Sequence, residues 1–458
     1  MTNPSNGQAA EPHLPQALHA PQVPPIPQVP QVPQVPLAPR LFGAAFGEHP
    51  ESTYAQLRAV GPVAWGEVAD GVYALVVTSH AAARELLADP AYTRDPGTWD
   101  ALARGGVPPS LTLMHTPGLQ HTDGAEHERL RRALDDCLAG VDLHAVRRTV
   151  QRYARDRIDA FVRRGHADLM AEYAEPVALH TLTDLLGCPP DAAERIRWYA
   201  GSVVAADQDA AEADAELAQT LREVVAARKA APGADVTSWL LAHPAQLSDQ
   251  EVARQLASML VLGAAPTVAW IGATLHTLLT EPAYASELVG GAVTIRHALN
   301  ETVSLRCPVA NSSVHYARSP RTLHGVQVPA GVPVLVSHAA TGLDPDRPGR
   351  GTARDRSHLA WSAGSHRCPA QTLAATIAET AIETVVDALW DLTTPTPVVA
   401  GKPGPFQQCP VHVGVLFSPE SRRNPCDTLA PRDPGGPDNS FASCVSVSGE
   451  TAGNAFTS

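Results

Sequence analysis

Aromatic side chains make up only 5% of this 458-residue chain, so nothing points to a stacking platform for bases. Its seven cysteines (137, 188, 307, 368, 409, 426 and 444) are scattered, and no C-x-x-C pair occurs. That excludes a zinc ribbon and a disulfide scaffold, and it fits a reducing cytoplasm. No apolar run reads as a membrane span, and the first residues lack the basic-then-apolar order of a signal peptide. Basic residues are in deficit, 34 Lys and Arg against 47 Asp and Glu. The net charge of −13 speaks against nucleic acid as the main partner. What the chain does have is apolar content, 44%, enough for a substantial core.

Proline is concentrated at the start, where a Pro-Gln-Val unit repeats between Pro21 and Pro36. Such a stretch favours extended polyproline II and forms neither helix nor ladder. We expect a disordered or semi-rigid arm over 1–40, a loose tail over 419–458 and one domain over 41–418. Within that domain, helical patterns cover Glu126–Leu138, Leu143–Arg164, Met170–Leu186, Ser248–Thr280 and Thr294–Val303, among others. Ala64–Glu67 and Val72–Val77 flank an Asp-Gly turn and predict a hairpin. Short strands are expected again over 314–337. The fold class is therefore mainly α with small β-sheets.

The richest chemistry lies in HLAWSAGSHRCPAQTLA, residues 358–374. Cys368 follows a glycine-containing turn and precedes a helical pattern, Pro369–Leu389, with proline at the position that suits it best. A thiol at a helix N-terminus has its thiolate stabilised by the dipole and by free N–H groups, and such a thiolate is a good iron ligand. A lone cysteine is more often plain core, but its neighbours change the reading. The segment resembles the cysteine-ligand loop of the cytochromes P450, Phe-x-x-Gly-x-His-x-Cys-x-Gly. Trp361, Gly364, His366 and Cys368 fall on that pattern, with Trp361 in place of Phe and Ala370 in place of the last Gly.

The resemblance implies the cytochrome P450 fold over about 41–418, haem b with Cys368 as iron ligand, and monooxygenation using O2. It implies more at three further places. His127 and Arg131, four apart on one helical face, match a His-x-x-x-Arg motif that holds haem propionates, with His366 as a third partner. In LVLGAAPTVAWIG, residues 260–272, Gly263 and Ala264 match small residues lining the oxygen side, and Thr267 keeps the family's hydroxyl. Pro266 stands where the family has an acid, so guided proton delivery is in doubt and a kink is expected. The family's Glu-x-x-Arg pair reads Glu301 and Ser304, leaving Glu301 to Arg306 or to water. The propionate-binding Arg expected after Val309 is missing, with His315 and Arg318 as candidate substitutes.

A ferredoxin with its reductase is the implied electron donor, with Arg129 and Arg132 as docking residues. The substrate is read as a small molecule, apolar in part, from Leu111, Met114, Trp198 and Trp270 in the expected pocket segments. Stable membrane insertion is not expected. Two other readings remain open: a haem-binding sensor or docking component without turnover, and an isomerase or peroxygenase needing no reductase.

Overall fold

The computed structural model describes residues 38–281, 284, 295–350, 355–389, 391–396 and 398–419. The chain divides into two units, Met1–Ala38 and Pro39–Ser458. The expected Pro-rich arm and loose tail lie almost wholly outside the described residues.

The main sheet of the second unit has five strands. The expected hairpin forms as β1 (Val63–Ala69) and β2 (Val72–Val77), antiparallel, with Gly71 at φ 73° in the turn. β3 (Tyr92–Thr93), β4 (Asn311–Ala317) and β5 (Pro333–Ser337) complete it in the order β1-β2-β5-β4-β3. β4 carries an irregularity between Ser312 and His315, where Ser313 takes a φ of 54°. β3 pairs with β4 through Thr93 and Tyr316, so the residue after β3 emerges beside β4.

The helical body is built on α1 (Gly124–Ala139), α2 (Leu143–Phe161), α3 (Asp249–Met259), α4 (Ala265–Thr280), α5 (Ile295–Leu305) and α6 (Gln371–Ala388). In α4, Thr267 through His276 are all buried, the mark of a helix packed on every side. α6 packs against α2 and α4 and joins them into one core. A buried carboxylate, Glu379, ties three of these helices through a hydrogen bond from Arg296 (2.6 Å) and a longer ion pair with Arg147 (3.8 Å).

The helix expected over 248–280 forms as one run, Asp249–Thr280, with a local irregularity in its middle. A π-turn, Leu260–Ala264, joins α3 to α4 just before Pro266. Proline has no N–H to give the carbonyl four residues back, so the ladder must widen or break there. The combined run Asp249–Thr280 is also long and apolar enough to cross a membrane by length and composition, against the reading of the sequence. More than half of its apolar window is buried inside the protein, as a core helix requires.

Candidate active site

Cys368 sits at the end of a tight loop. Gly364–His366 form one 3₁₀ turn, and Gly364 has φ 69° with the Leu87 carbonyl 2.5 Å from where a Cβ would stand. Only glycine fits there. The Cys368 N–H donates to Trp361 O at 2.9 Å, closing the loop on itself. The helix that follows begins at Gln371, so Pro369 lies in the connecting turn and not at the first helical position. Burial pushes the Cys368 thiol up, partly offset by a hydrogen bond from the Ala370 N–H and by Arg131 and Arg367. The expected dipole effect is therefore outweighed by desolvation, and an N–H aimed at the sulfur remains.

Cys368 lines a large, mainly apolar cavity together with Gly263, Pro266, Thr267, His127, Arg131 and His366. Ala264 does not join them and lines a smaller neighbouring cavity. His127 and Arg131, four apart on α1, both reach the cavity. Arg131 donates to Ser365 O (2.9 Å) and Asp135 Oδ1 (2.7 Å), which fastens α1 to the cysteine loop. The His127 and His366 rings lie 4.0 Å apart, centroid to centroid. Burial, then His366 and Arg131, push His127 down to about 4, so it is a neutral donor–acceptor here. Its Nε2 is buried with no partner among the described residues.

Asp123, just before α1, holds the far side of this cluster. It accepts from Thr93 Oγ1 (2.5 Å) and the Arg94 N–H (2.8 Å), and His366 Nε2 stands 3.9 Å away. Burial alone would raise its carboxyl, but His366, Thr93 and the Arg94 N–H hold it well below the usual range.

On the helix wall, the Thr267 hydroxyl donates to Gly263 O at 2.7 Å, and Gln407 Nε2 donates to Ala265 O at 2.7 Å. Both serve carbonyls around the π-turn. Trp270 reaches the cavity and packs edge-on to Trp361 with centroids 5.3 Å apart.

Several expectations change. Glu301 is exposed and accepts from the Tyr284 hydroxyl, while Arg306 turns to Glu281 and Thr277, so those two do not pair. Ser304 is buried and bonded to Arg347 and Asp355. His315 donates to Ser313 O (2.6 Å) and Arg318 to Thr93 Oγ1 (3.0 Å); neither lines the cavity. Arg129 is engaged with Glu251 and Ala245 O, which leaves Arg132 as the exposed one of the two docking residues. Of the pocket residues read from sequence, Met114 and Trp270 line the cavity, Leu111 packs into a separate core cluster and Trp198 is 51% exposed. Arg94, His121 and Gln407 line it without having been foreseen, because nothing local marks them.

The residues fit haem. A half-buried cysteine receives an N–H at sulfur, the walls are apolar, and an orphaned donor–acceptor, His127 Nε2, faces the site beside Arg131 and His366. That combination suits a flat apolar group carrying acids.

No protein-family profile matches the chain. It is similar to cytochrome P450 107B1 of Saccharopolyspora erythraea, 26% identical over 77% of this chain and 90% of that protein. It is also similar to the cytochrome P450 monooxygenase PikC of Streptomyces venezuelae, 28% identical over 76% of this chain and 86% of that one. Among solved structures, CYP154A1 from Streptomyces coelicolor A3(2) superposes with a TM-score of 0.76 at 26% identity, covering 83% of this chain and all of that one.

Proposed function

The chain belongs to the bacterial cytochrome P450 family, and from that premise we propose a haem–thiolate monooxygenase acting on a small, mainly apolar organic molecule. It is an oxidoreductase with haem iron as its cofactor. Bound through a thiolate, haem supplies reductive activation of O2, one atom entering the substrate and the other leaving as water.

The protein's own part divides by wall. Cys368 is the iron ligand, half-buried, with its sulfur supported by the Ala370 N–H. His127, Arg131 and His366 donate to the acid groups and fix the plane of the ring, as charge-assisted bonds do. Gly263 lets the helix wall approach a flat group closely, and Ala264 supports it from behind.

The reaction takes up two protons and two electrons. Thr267 Oγ1 holds a proton on the helix wall, and with no acid at position 266 it works with water alone. Electrons come from a ferredoxin and its reductase, with Arg132 as the exposed cation on α1. Leu113, Met114, Leu182, Val204 and Trp270 give the substrate an apolar enclosure, and water is excluded accordingly. The long apolar helix is a core element, so we place the enzyme in the cytoplasm without stable membrane insertion. A scaffold without turnover gains nothing from this arrangement and is not favoured.

The observation that carries the proposal is that Cys368, Thr267 and the basic cluster line one apolar cavity. A reduced-plus-CO difference spectrum tests it. The thiolate-type band is expected; a neutral-ligand band would make the protein a haem binder without this chemistry. Substrate screening then uses a surrogate ferredoxin pair, and turnover that ignores the reductase overturns the donor assignment.

A further inference from the structure

The basic cluster contains one cation that has no part in the haem–thiolate reading so far. Arg94 follows β3 directly, is 5% exposed and lines the cavity. Its Nε is buried without a partner among the described residues. The nearest carboxylate, Asp123, is taken up by the Arg94 backbone N–H, by Thr93 Oγ1 and by the approach of His366. A buried guanidinium left this way is costly, so it marks a place where an anion is missing.

The surroundings sharpen the point. Arg94 is electrostatically coupled to His121, His127, His315 and His366, each of which it pushes toward the neutral form. Burial likewise lowers Arg94 itself to about 10, opposed by the charge of Asp123. Arg131 adds a second permanent cation to the same cavity. Two arginines thus face a site whose nearest carboxylates are already engaged, Asp135 by Arg131 and Asp123 by Thr93 and the Arg94 backbone N–H.

β4 explains why the cation enters from here. The irregularity at Ser313 turns His315 back onto its own strand, and Arg318 is drawn away to Thr93. Neither offers a donor to the cavity. Because Thr93 pairs with Tyr316, Arg94 is placed at the same end of the sheet, one strand over.

We propose that Arg94 is a cofactor-binding residue, donating through its guanidinium to an acid group of the haem alongside His127, Arg131 and His366, in place of a cation from β4. The inference rests on the haem–thiolate reading. Its content is specific: the contact is with the acid groups and not with the ring or the iron.

The test uses the full-length holoprotein loaded with haem b or with haem b dimethyl ester, which lacks the acids. The readout is the rate of haem transfer to excess apomyoglobin. For haem b, Arg94→Gln is expected to release haem at least tenfold faster than wild type, with Arg94→Lys between the two. For the dimethyl ester, all three are expected to release at the same rate. Arg318→Gln is the control and is expected to match wild type with either form. Equal rates for wild type and Arg94→Gln with haem b would overturn the proposal. So would equal acceleration with haem b and its ester, because that is the signature of a structural role. If Arg94→Gln fails to fold, the Arg94→Lys comparison between acid and ester decides by the same criterion. Failure of the underlying reading looks different: wild type then takes up no haem, or shows no thiolate-type band.

Discussion

Arg347 and Asp355 form a buried ion pair where α5 offers only Ser304. Arg347 is fully enclosed, and its Nη2 donates to Ser304 Oγ at 2.9 Å while Nε donates to Gly342 O at 3.2 Å. Ser304 Oγ in turn reaches Asp355 Oδ2 at 3.2 Å, and Asn300 Nδ2 reaches the Asp355 carbonyl at 2.8 Å. The carboxylate that α5 would have supplied through Glu301 comes instead from the segment that follows Arg347. Glu301 is then released to the surface, where it meets Tyr284.

This arrangement predicts an order of cost. Asp355→Asn leaves Arg347 buried beside a neutral amide and is expected to lose about 3–5 kcal/mol. Ser304→Ala removes one shared hydroxyl and is expected to lose about 1–3 kcal/mol. Glu301→Gln is expected to change little, below about 0.5 kcal/mol, as an exposed position does. Urea unfolding of the three variants checks the ranking. A large loss at Glu301 with a small one at Asp355 would show that the helix carboxylate is the structural partner after all.

The same pair fixes a pH dependence. Burial by itself would raise the Asp355 carboxyl, but bonds from Ser357 and Arg347 hold it below its ordinary value. A carboxyl lowered on folding gives stability that is present above the unfolded value, about 4, and is lost as pH falls through the folded one. The stability gap between wild type and Asp355→Asn should therefore be full at neutral pH and narrow on acidification. Unfolding measured at pH 7, 5 and 3 decides; a gap that stays constant would assign the effect to packing.

For the cysteine, Cys368→Ser is expected to abolish the thiolate-type band of the ferrous–CO protein while the fold persists, since the loop is closed by backbone groups from Trp361 and Gly364. Circular dichroism and the CO spectrum read the two parts separately. An unchanged band would remove Cys368 as ligand.

The cysteine loop was legible because its information is local: a glycine, a histidine and a cysteine at fixed spacing need no partner elsewhere to be recognised. His127 and Arg131 were legible for the same reason, four apart on one helix. Arg94 was not, because its meaning depends on β3 lying beside β4, a pairing across more than two hundred residues. Asp355 was hidden in the same way, since its partner Ser304 lies fifty-one residues earlier in the chain. Ala264 failed on helical geometry: the π-turn rotates the wall by part of a turn, so Gly263 faces the large cavity and its neighbour does not. Pro266 announced an irregular turn, but not on which side each small residue would fall.

Pro266 also carries the prediction closest to catalysis. It sits on the cavity wall one residue before Thr267, in place of an acid, and Thr267 Oγ1 already spends its proton on Gly263 O. Proton supply along this wall should then limit how many electrons end in product. Pro266→Asp or Pro266→Glu is expected to raise product formed per electron consumed, measured with a surrogate ferredoxin pair once a substrate is found. Pro266→Ala separates the two effects of the exchange, because it restores the backbone N–H without adding an acid. A gain with alanine as large as with aspartate would trace the benefit to the helix ladder. No gain with either acid would mean that protons reach the cavity by another route, for which Gln407, held to Ala265 O at the same turn, is the group to substitute next.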